Sequence, residues 1–418
     1  MKKEQRYVIL GNSTAAVAAA EAIRSVDSPG SITLVAEEPY HTYSRPLISY
    51  YLSGQVSEEQ MLYRPLEFYQ ENRIATRLGT TAALLDTVKR RVYLTTKVDK
   101  NQETYIEYDK LLLATGSRPA SPPIPGIKLK GVHYFYTLDH IKAIQASLKK
   151  GSPVVVLGSG LIGMKAAEAL CKLGLPVTVV EMADRILPTI LDREAAFMVQ
   201  SWMEEHGIRF LLDNRAAAIC GEKQVDGVQL ADGTELPAQL VIIATGVRPN
   251  VELAADTPIE VRQGIVVNEY QETSVPGIYC AGDVCEGYDP LYGQHRLSPI
   301  LPNAYHQGRV AGLNMAGEKT VNSGLIAFNS TTFFGMPVAT MGLSSAAAEG
   351  ESFNYSRDRE YRSLMFKGEQ LVGGIFVNCA QRAGIFQQLI KERAPVKQQK
   401  DYLLQSVPRL IDFPSIQW

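Results

Sequence analysis

The chain repeats one short phrase. Residues 111–119 read Leu-Leu-Leu-Ala-Thr-Gly-Ser-Arg-Pro, and residues 241–249 read Val-Ile-Ile-Ala-Thr-Gly-Val-Arg-Pro. Each is an apolar strand ending in a small-residue turn, followed by arginine and proline. Each lies downstream of a glycine-bearing strand–turn–helix pattern, so the echo predicts two nested dinucleotide-binding units in one chain. With 418 residues there is room for two to three domains.

Composition narrows the field. A net charge of −2 leaves no basic footprint for nucleic acid. No apolar run approaches the roughly 18 residues of a membrane span. The apolar start at Val8-Ile9-Leu10, with its alanine-rich sequel at 15–20, reads as a first strand and helix rather than a secretory leader. The same layout recurs at 154–170. Cys171, Cys220, Cys280, Cys285 and Cys379 are too few and too scattered for a disulfide framework, which fits a reducing, cytoplasmic setting. No cluster suggests a metal site.

The first βαβ pattern covers 6–36, a strand-rich stretch runs over 80–113, and the proline run 119–125 reads as a linker. A second βαβ covers 154–180. The second Ala-Thr-Gly returns the chain to the first unit, which closes over 277–317 with strand, turn and helix. From about 321 the pattern changes to antiparallel strands, with Phe333-Phe334-Gly335, Leu364–Phe366 and Leu371–Val377 as landmarks, and a helix at 380–393. The expected fold is α/β: two nested Rossmann-like units, 1–117 with 246–320 and 118–245, plus a C-terminal α+β domain over 321–418.

The strongest single motif is Gly158-Ser159-Gly160-Leu161-Ile162-Gly163, between a strand and a helix. Gly158 permits the tight turn, Gly160 lets backbone approach a pyrophosphate, and Gly163 allows close helix–strand packing. The helix start at Leu161 and Ile162 presents amides to the phosphates. Glu181 ends the next strand, placed to take both ribose hydroxyls, and a carboxylate there repels a 2′-phosphate. That favours NAD over NADP; a purely structural strand end is the competing reading. Ala244, Thr245 and Gly246 complete this site.

The first fingerprint, Gly11-Asn12-Ser13-Thr14-Ala15-Ala16, is degraded, with Ser13 and Ala16 where glycines are expected. Glu37-Glu38 after the second strand restores the reading, with Glu37 as the ribose partner. A third element, Thr273 to Asp283, is a strand ending in Ala281-Gly282-Asp283. A carboxylate at such a turn accepts a hydrogen bond from a ribitol hydroxyl.

These motifs in this order resemble the two-dinucleotide-binding flavoproteins of the pyridine nucleotide–disulfide oxidoreductase superfamily. The resemblance covers essentially the whole chain. It implies FAD in the discontinuous first domain, held by Gly11, Ser13, Thr14, Ala15, Glu37, Ala114, Thr115, Gly116, Arg118, Gly282 and Asp283. It also places Pro302, Asn303 and Ala304 of a flavin-edge helix there, with His306 as a packed helix residue. NAD falls to the 118–245 domain, and 321–418 to an interface domain.

Relatives with thiol chemistry carry one or two cysteines after the first βαβ. This chain has Tyr43-Ser44-Arg45-Pro46-Leu47-Ile48-Ser49, with Ser44 near the single-cysteine position. The Arg-Pro-x-x-Ser run instead looks like redoxin reductases and the flavin part of nitrite reductases, which implies that Arg45, Pro46 and Ser49 contact FAD. Cys280 reads as a buried small residue; a redox pair with Cys285 is the alternative. Redoxin reductases often place a lysine and a glutamate at the positions of Tyr50 and Lys165. Here that pair is lost, and Lys165 is either a positive charge beside the flavin or a solvated helix lysine.

The C-terminal part is more loosely similar to flavin subunits such as that of phenylglyoxylate dehydrogenase. Lys391, Arg393, Lys397 and Lys400 there are either a docking stretch for an acidic iron–sulfur protein or a solvated helix end. The expected function is electron exchange between NAD(H) and an iron–sulfur protein or partner subunit through FAD, in either direction. An NADH oxidase using oxygen and a non-enzymatic redox-sensing flavoprotein are the alternatives.

Overall fold

The computed structural model describes residues 4–96, 104–324, 326–343 and 350–414. It divides into two compact units. The first comprises 1–44, 58–118 and 248–325; the second comprises 45–57, 119–247 and 326–418.

In the first unit a parallel sheet orders its strands Ile278–Cys280, Lys110–Leu113, Arg6–Leu10, Ser31–Ala36 and Ile74–Leu78. The strands are near-continuous apolar runs because both faces are covered. Alternation assigns their side chains. Ile9, Ile32, Leu34 and Leu112 face a core shared with the helices Thr14–Val26 and Leu301–Met315. Val8, Leu10, Val35, Leu111 and Leu113 face Leu85, Val92 and Leu94 of an antiparallel three-stranded sheet. A hairpin, Cys285–Asp289 with Gln294–Leu297, follows the Ala-Gly-Asp turn and was not legible in the strand–turn–helix reading of 277–317.

The second unit repeats the plan. Its parallel sheet runs Ile208–Leu211, Val177–Val180, Val154–Leu157, Leu240–Ile243 and Val132–Tyr134. One face buries Val155, Leu157, Val241 and Ile243 against a three-stranded antiparallel sheet through Ile219, Val228 and Leu236. The helices Leu161–Lys172 and Arg193–Glu205 belong to the same half. The unit also holds a five-stranded antiparallel sheet, ordered Phe328–Phe333, Met336–Gly342, Gln370–Val377, Glu360–Lys367 and Glu351–Arg357. Helix Ala383–Lys391 packs on it through Phe386, whose ring centroid lies 4.8 Å from that of Phe376. The echo has a topological meaning. In each unit the repeated strand pairs with the first strand of the glycine motif, opposite the second.

Candidate functional site

The two glycine loops are built alike. Gly11 has φ +132°, and a Cβ there would stand 2.1 Å from the Ala114 carbonyl oxygen. Gly158 has φ +103°, and its Cβ would stand 2.5 Å from the Ala244 carbonyl oxygen. The alanine of each echo therefore rests on the first glycine of its own unit, where no other residue type fits. Gly163 is equally confined, its Cβ 2.0 Å from the Gly158 oxygen, whereas a Cβ on Gly160 meets no heavy atom within 4 Å. That opening lets backbone approach a pyrophosphate.

Both helices begin without a side-chain cap. Ser13 and Gly160 are extended N-cap residues and neither makes a side-chain capping bond. First-turn amides left without intrahelical partners at such a position suit an anion.

The degraded first fingerprint has a physical explanation. Ser13 sits at φ −106°, which any residue adopts. Ala16 is fully buried and small. The close approach is supplied by glycines on the opposite helix. A Cβ on Gly308 would stand 2.1 Å from the Ala15 oxygen, and one on Gly312 2.4 Å from the Ala19 oxygen. Thr14 and Ala15 are buried in that helix pair.

Around the first loop, Glu37 is exposed at the end of Ser31–Ala36, while Glu38 accepts a 2.6 Å bond from the Tyr43 hydroxyl. The Thr115 hydroxyl donates to the Asn250 carbonyl at 2.9 Å, and the Asn250 amide donates to the Gly116 carbonyl at 3.0 Å. Arg118 donates to Asn250 Oδ1 at 2.8 Å and pairs with Glu252, which holds the Glu252 carboxyl below its ordinary range. Its guanidinium, expected at FAD, is thus engaged by the returning segment. Asp283 accepts from the Ser117 hydroxyl at 2.9 Å, and the Gly282 amide donates to Gln307 Oε1 at 2.9 Å.

Pro302 is exposed, Ala304 buried and His306 half-buried on Leu301–Met315. Asn303 is buried, with Nδ2 donating to Ser298 Oγ at 2.5 Å and Oδ1 meeting no donor. Buried Thr42 Oγ1 and His41 Nε2, in the same unit, are also unpartnered. Orphaned buried polar atoms are costly unless a ligand meets them. Together with the uncapped helix and the Gly11 cradle, they fit FAD.

In the second unit Glu181 is held firmly. Its Oε2 accepts from the backbone amide and hydroxyl of Ser159, each at 2.8 Å, and its Oε1 from the Ala183 amide at 2.9 Å. The carboxylate is thereby fixed at the glycine loop. Leu161, Ile162 and Gly163 open the helix beside it, and the Ala120 amide donates to the Gly246 carbonyl at 2.9 Å. The Thr245 hydroxyl lies 3.5 Å from the Ala120 carbonyl. These residues fit a nicotinamide dinucleotide.

The Arg-Pro-x-x-Ser run belongs to the second unit. Arg45 donates to the Tyr136 carbonyl at 3.2 Å and lies over that ring, and Ser49 is buried, 3.5 Å from the Pro46 carbonyl. Tyr50 meets Lys165, whose Nζ lies 4.6 Å from the ring centroid and 3.5 Å from the hydroxyl. Lys165 is not a solvated helix lysine. Its side chain is 15% exposed, forms a short ion pair with Glu168 and donates to the Thr332 carbonyl at 3.1 Å.

Glu168, which sequence reasoning missed, also accepts from Lys172 Nζ at 2.8 Å and from the Phe334 amide at 2.9 Å. Burial pushes its carboxyl up, but the hydrogen bonds from Lys165 and Lys172 outweigh it and the net shift is downward. The spacing of positions 165, 168 and 172 along one helix face was the available signal.

No thiol stands near Ser44 in sequence, and Ser44 donates its amide to the Met61 carbonyl at 2.7 Å. Cys280 and Cys285 are buried and unbridged; burial and the neighbouring Cys285 push the Cys280 thiol up. In the basic stretch Lys391 and Arg393 are exposed, Lys397 pairs with Glu351 at 2.6 Å, and Lys400 lies over the Phe353 ring. Among the described residues no acidic, histidine or cysteine group is arranged for a metal ion, and no helix is long and apolar enough to cross a membrane.

Comparison with known proteins agrees with this geometry. Residues 5–308 match the family described as pyridine nucleotide-disulphide oxidoreductase. The chain is 32% identical over 394 residues to the epsilon subunit of NADH-dependent phenylglyoxylate dehydrogenase of Aromatoleum evansii, covering 93% of this chain and 92% of that one. It is 31% identical over 399 residues to nitrite reductase [NAD(P)H] of Bacillus subtilis, covering 94% of this chain but 48% of the relative, about half its length. The crystal structure of a ferredoxin reductase from Rhodopseudomonas palustris superposes with a TM-score of 0.83 at 28% identity, over 90% of this chain and 91% of that one. The chain belongs to the pyridine nucleotide-disulphide oxidoreductase family and is an FAD- and NAD(H)-dependent oxidoreductase.

Proposed function

We propose that the chain passes electrons between NAD(H) and an iron–sulfur protein or partner subunit. The observation that carries the reading is Ser44. Ser44 stands near the position where the resemblance places the redox cysteine of thiol-using members, and the five cysteines of this chain lie elsewhere and unbridged. Electrons leaving the flavin then have no thiol relay, and a one-electron acceptor that docks is the simplest outlet. FAD supplies the exchange between two-electron and one-electron carriers that nicotinamide alone does not perform.

The chain's own residues bind and orient. In this reading 1–117 and 246–320 hold FAD through the Gly11 loop, Glu37, the Ala114–Gly116 turn, Asp283 and the 302–304 helix start. Residues 118–245 hold NAD through Gly158, Gly160, Gly163 and Glu181, and 321–418 faces the partner. No general base is needed, because transfer between the two rings depends on stacking and distance.

The test is anaerobic. The FAD-loaded chain, mixed with NADH and a ferredoxin or rubredoxin, should reduce the iron–sulfur protein at least tenfold faster than it consumes oxygen in an aerated control. Equal rates would favour a small-molecule oxidase, and bound FAD that NADH fails to bleach would refute the proposal.

A further inference from the structure

We propose that Asp184 is a second determinant of dinucleotide choice. It holds Arg193 in an ion pair three residues beyond Glu181 and so withholds the guanidinium that a 2′-phosphate needs. The inference rests on reading Glu181 as the ribose-binding carboxylate.

The loop after that carboxylate is pinned on both sides. The Ala183 amide donates to Glu181 Oε1 at 2.9 Å, the Asp213 amide to the Ala183 carbonyl at 3.0 Å, and the Asn214 amide to the Glu181 carbonyl at 3.0 Å. Asp184 follows directly and gathers two arginines. Arg185 donates Nη1 to Asp184 Oδ1 at 2.7 Å, and Arg193 pairs with Oδ2.

The two arginines differ in what else they do. Arg185 also donates Nε to the Leu191 carbonyl and Nη2 to the Pro188 carbonyl, each at 3.2 Å, so it is spent folding its own loop. Arg193 opens the helix Arg193–Glu205 with a side chain 79% exposed. An exposed ion pair is weak, yet breaking it still costs a severalfold factor in affinity for any anion that competes for the arginine. A guanidinium so placed is a ready bidentate partner for a phosphate dianion.

Asp184 opposes that in two ways. Its carboxylate already satisfies Arg193, and a 2′-phosphate displacing it would stand between two carboxylates, Glu181 and Asp184. Glu181 repels the extra phosphate directly, and Asp184 removes the cation that would compensate. Removing Glu181 alone should therefore weaken NADH binding without creating an NADPH site.

The experiment compares Glu181→Ala, Asp184→Asn, the double variant, and the double variant with Arg193→Ala. Calorimetric binding of 2′,5′-ADP and 5′-AMP is followed by NADH and NADPH kinetics with ferricyanide. The double variant should bind 2′,5′-ADP about fivefold tighter than Glu181→Ala, with 5′-AMP unchanged. Its KM for NADPH should fall at constant kcat, and Arg193→Ala should abolish the gain. Asp184→Ser repeats the comparison should Asp184→Asn melt early. No tightening, or a gain that survives Arg193→Ala, overturns the role of Asp184. An unchanged KM for NADH in Glu181→Ala overturns instead the ribose reading on which the proposal rests.

Discussion

Glu168→Gln isolates the charge cluster that joins the helix Leu161–Lys172 to the tip of the antiparallel sheet. The Glu168 side chain is 3% exposed and accepts from two ammonium groups and the Phe334 amide. Glutamine keeps the shape and one acceptor but turns an NH2 toward a lysine, leaving buried positive charge unmatched. Removing one partner of a buried pair costs about 3 kcal/mol. At roughly 2–4 °C per kcal/mol for a unit of this size, the second unit should melt about 6–12 °C lower.

The pH dependence has a definite sign. The folded-state carboxyl is held below its unfolded value, so its contribution is present above the ordinary carboxylate range and is lost as pH falls through the lowered folded value. Wild type should lose stability on acidification through that window, and Glu168→Gln should lose less. Circular dichroism melts from pH 7 to pH 3 check both. The apolar replacement Lys165→Met with Glu168→Leu should recover only the part of the loss that comes from Lys165, because Lys172 and the Phe334 amide still lose their acceptor. A variant melting within about 1 °C of wild type at pH 7, with the same acid slope, would refute the reasoning.

The fingerprint glycines make opposite predictions. Gly160→Ala should fold with an unchanged melting temperature and lose NADH affinity about tenfold or more, since its Cβ meets only open space until a dinucleotide arrives. Gly163→Ala should lose about 2 kcal/mol in the same melt, because its Cβ strikes the Gly158 carbonyl oxygen. Ser159→Ala removes one of the three bonds that fix Glu181, so KM for NADH should rise about threefold to tenfold with kcat unchanged. Asn303→Leu removes an unpartnered buried acceptor together with the bond to Ser298, two effects of opposite sign, so the apoprotein should shift by no more than about 1 kcal/mol in urea melts while FAD retention on dialysis falls.

What was legible in the sequence was whatever the backbone demands of residue type. A positive φ against a neighbouring carbonyl admits only glycine, so Gly11 and Gly158 announced their turns, and the echo strands announced the slots beside them. The covering sheets were less legible, because hairpin strands carry local signals that do not say which face of a parallel sheet they protect. The first fingerprint looked damaged because its compensation lies far along the chain. Gly308 and Gly312 bring the second helix into contact with Ala15 and Ala19, and no local pattern around Ala16 reports that.

The charge cluster was hidden for a different reason. Lys165, Glu168 and Lys172 have the spacing of an ordinary solvated helix face, and only burial under Phe333–Phe334 and Tyr50 distinguishes them. Glu168 pairs with Lys165 on the same helix. Any influence of Lys165 on a bound cofactor therefore runs through the pair, and Lys165→Glu would set two carboxylates one turn apart where the cluster now holds one. Lys165→Met removes the cation and leaves Glu168 to Lys172 and Phe334, so its melting temperature, read beside the potential of the bound flavin, separates the electrostatics of the site from the loss of a buried partner.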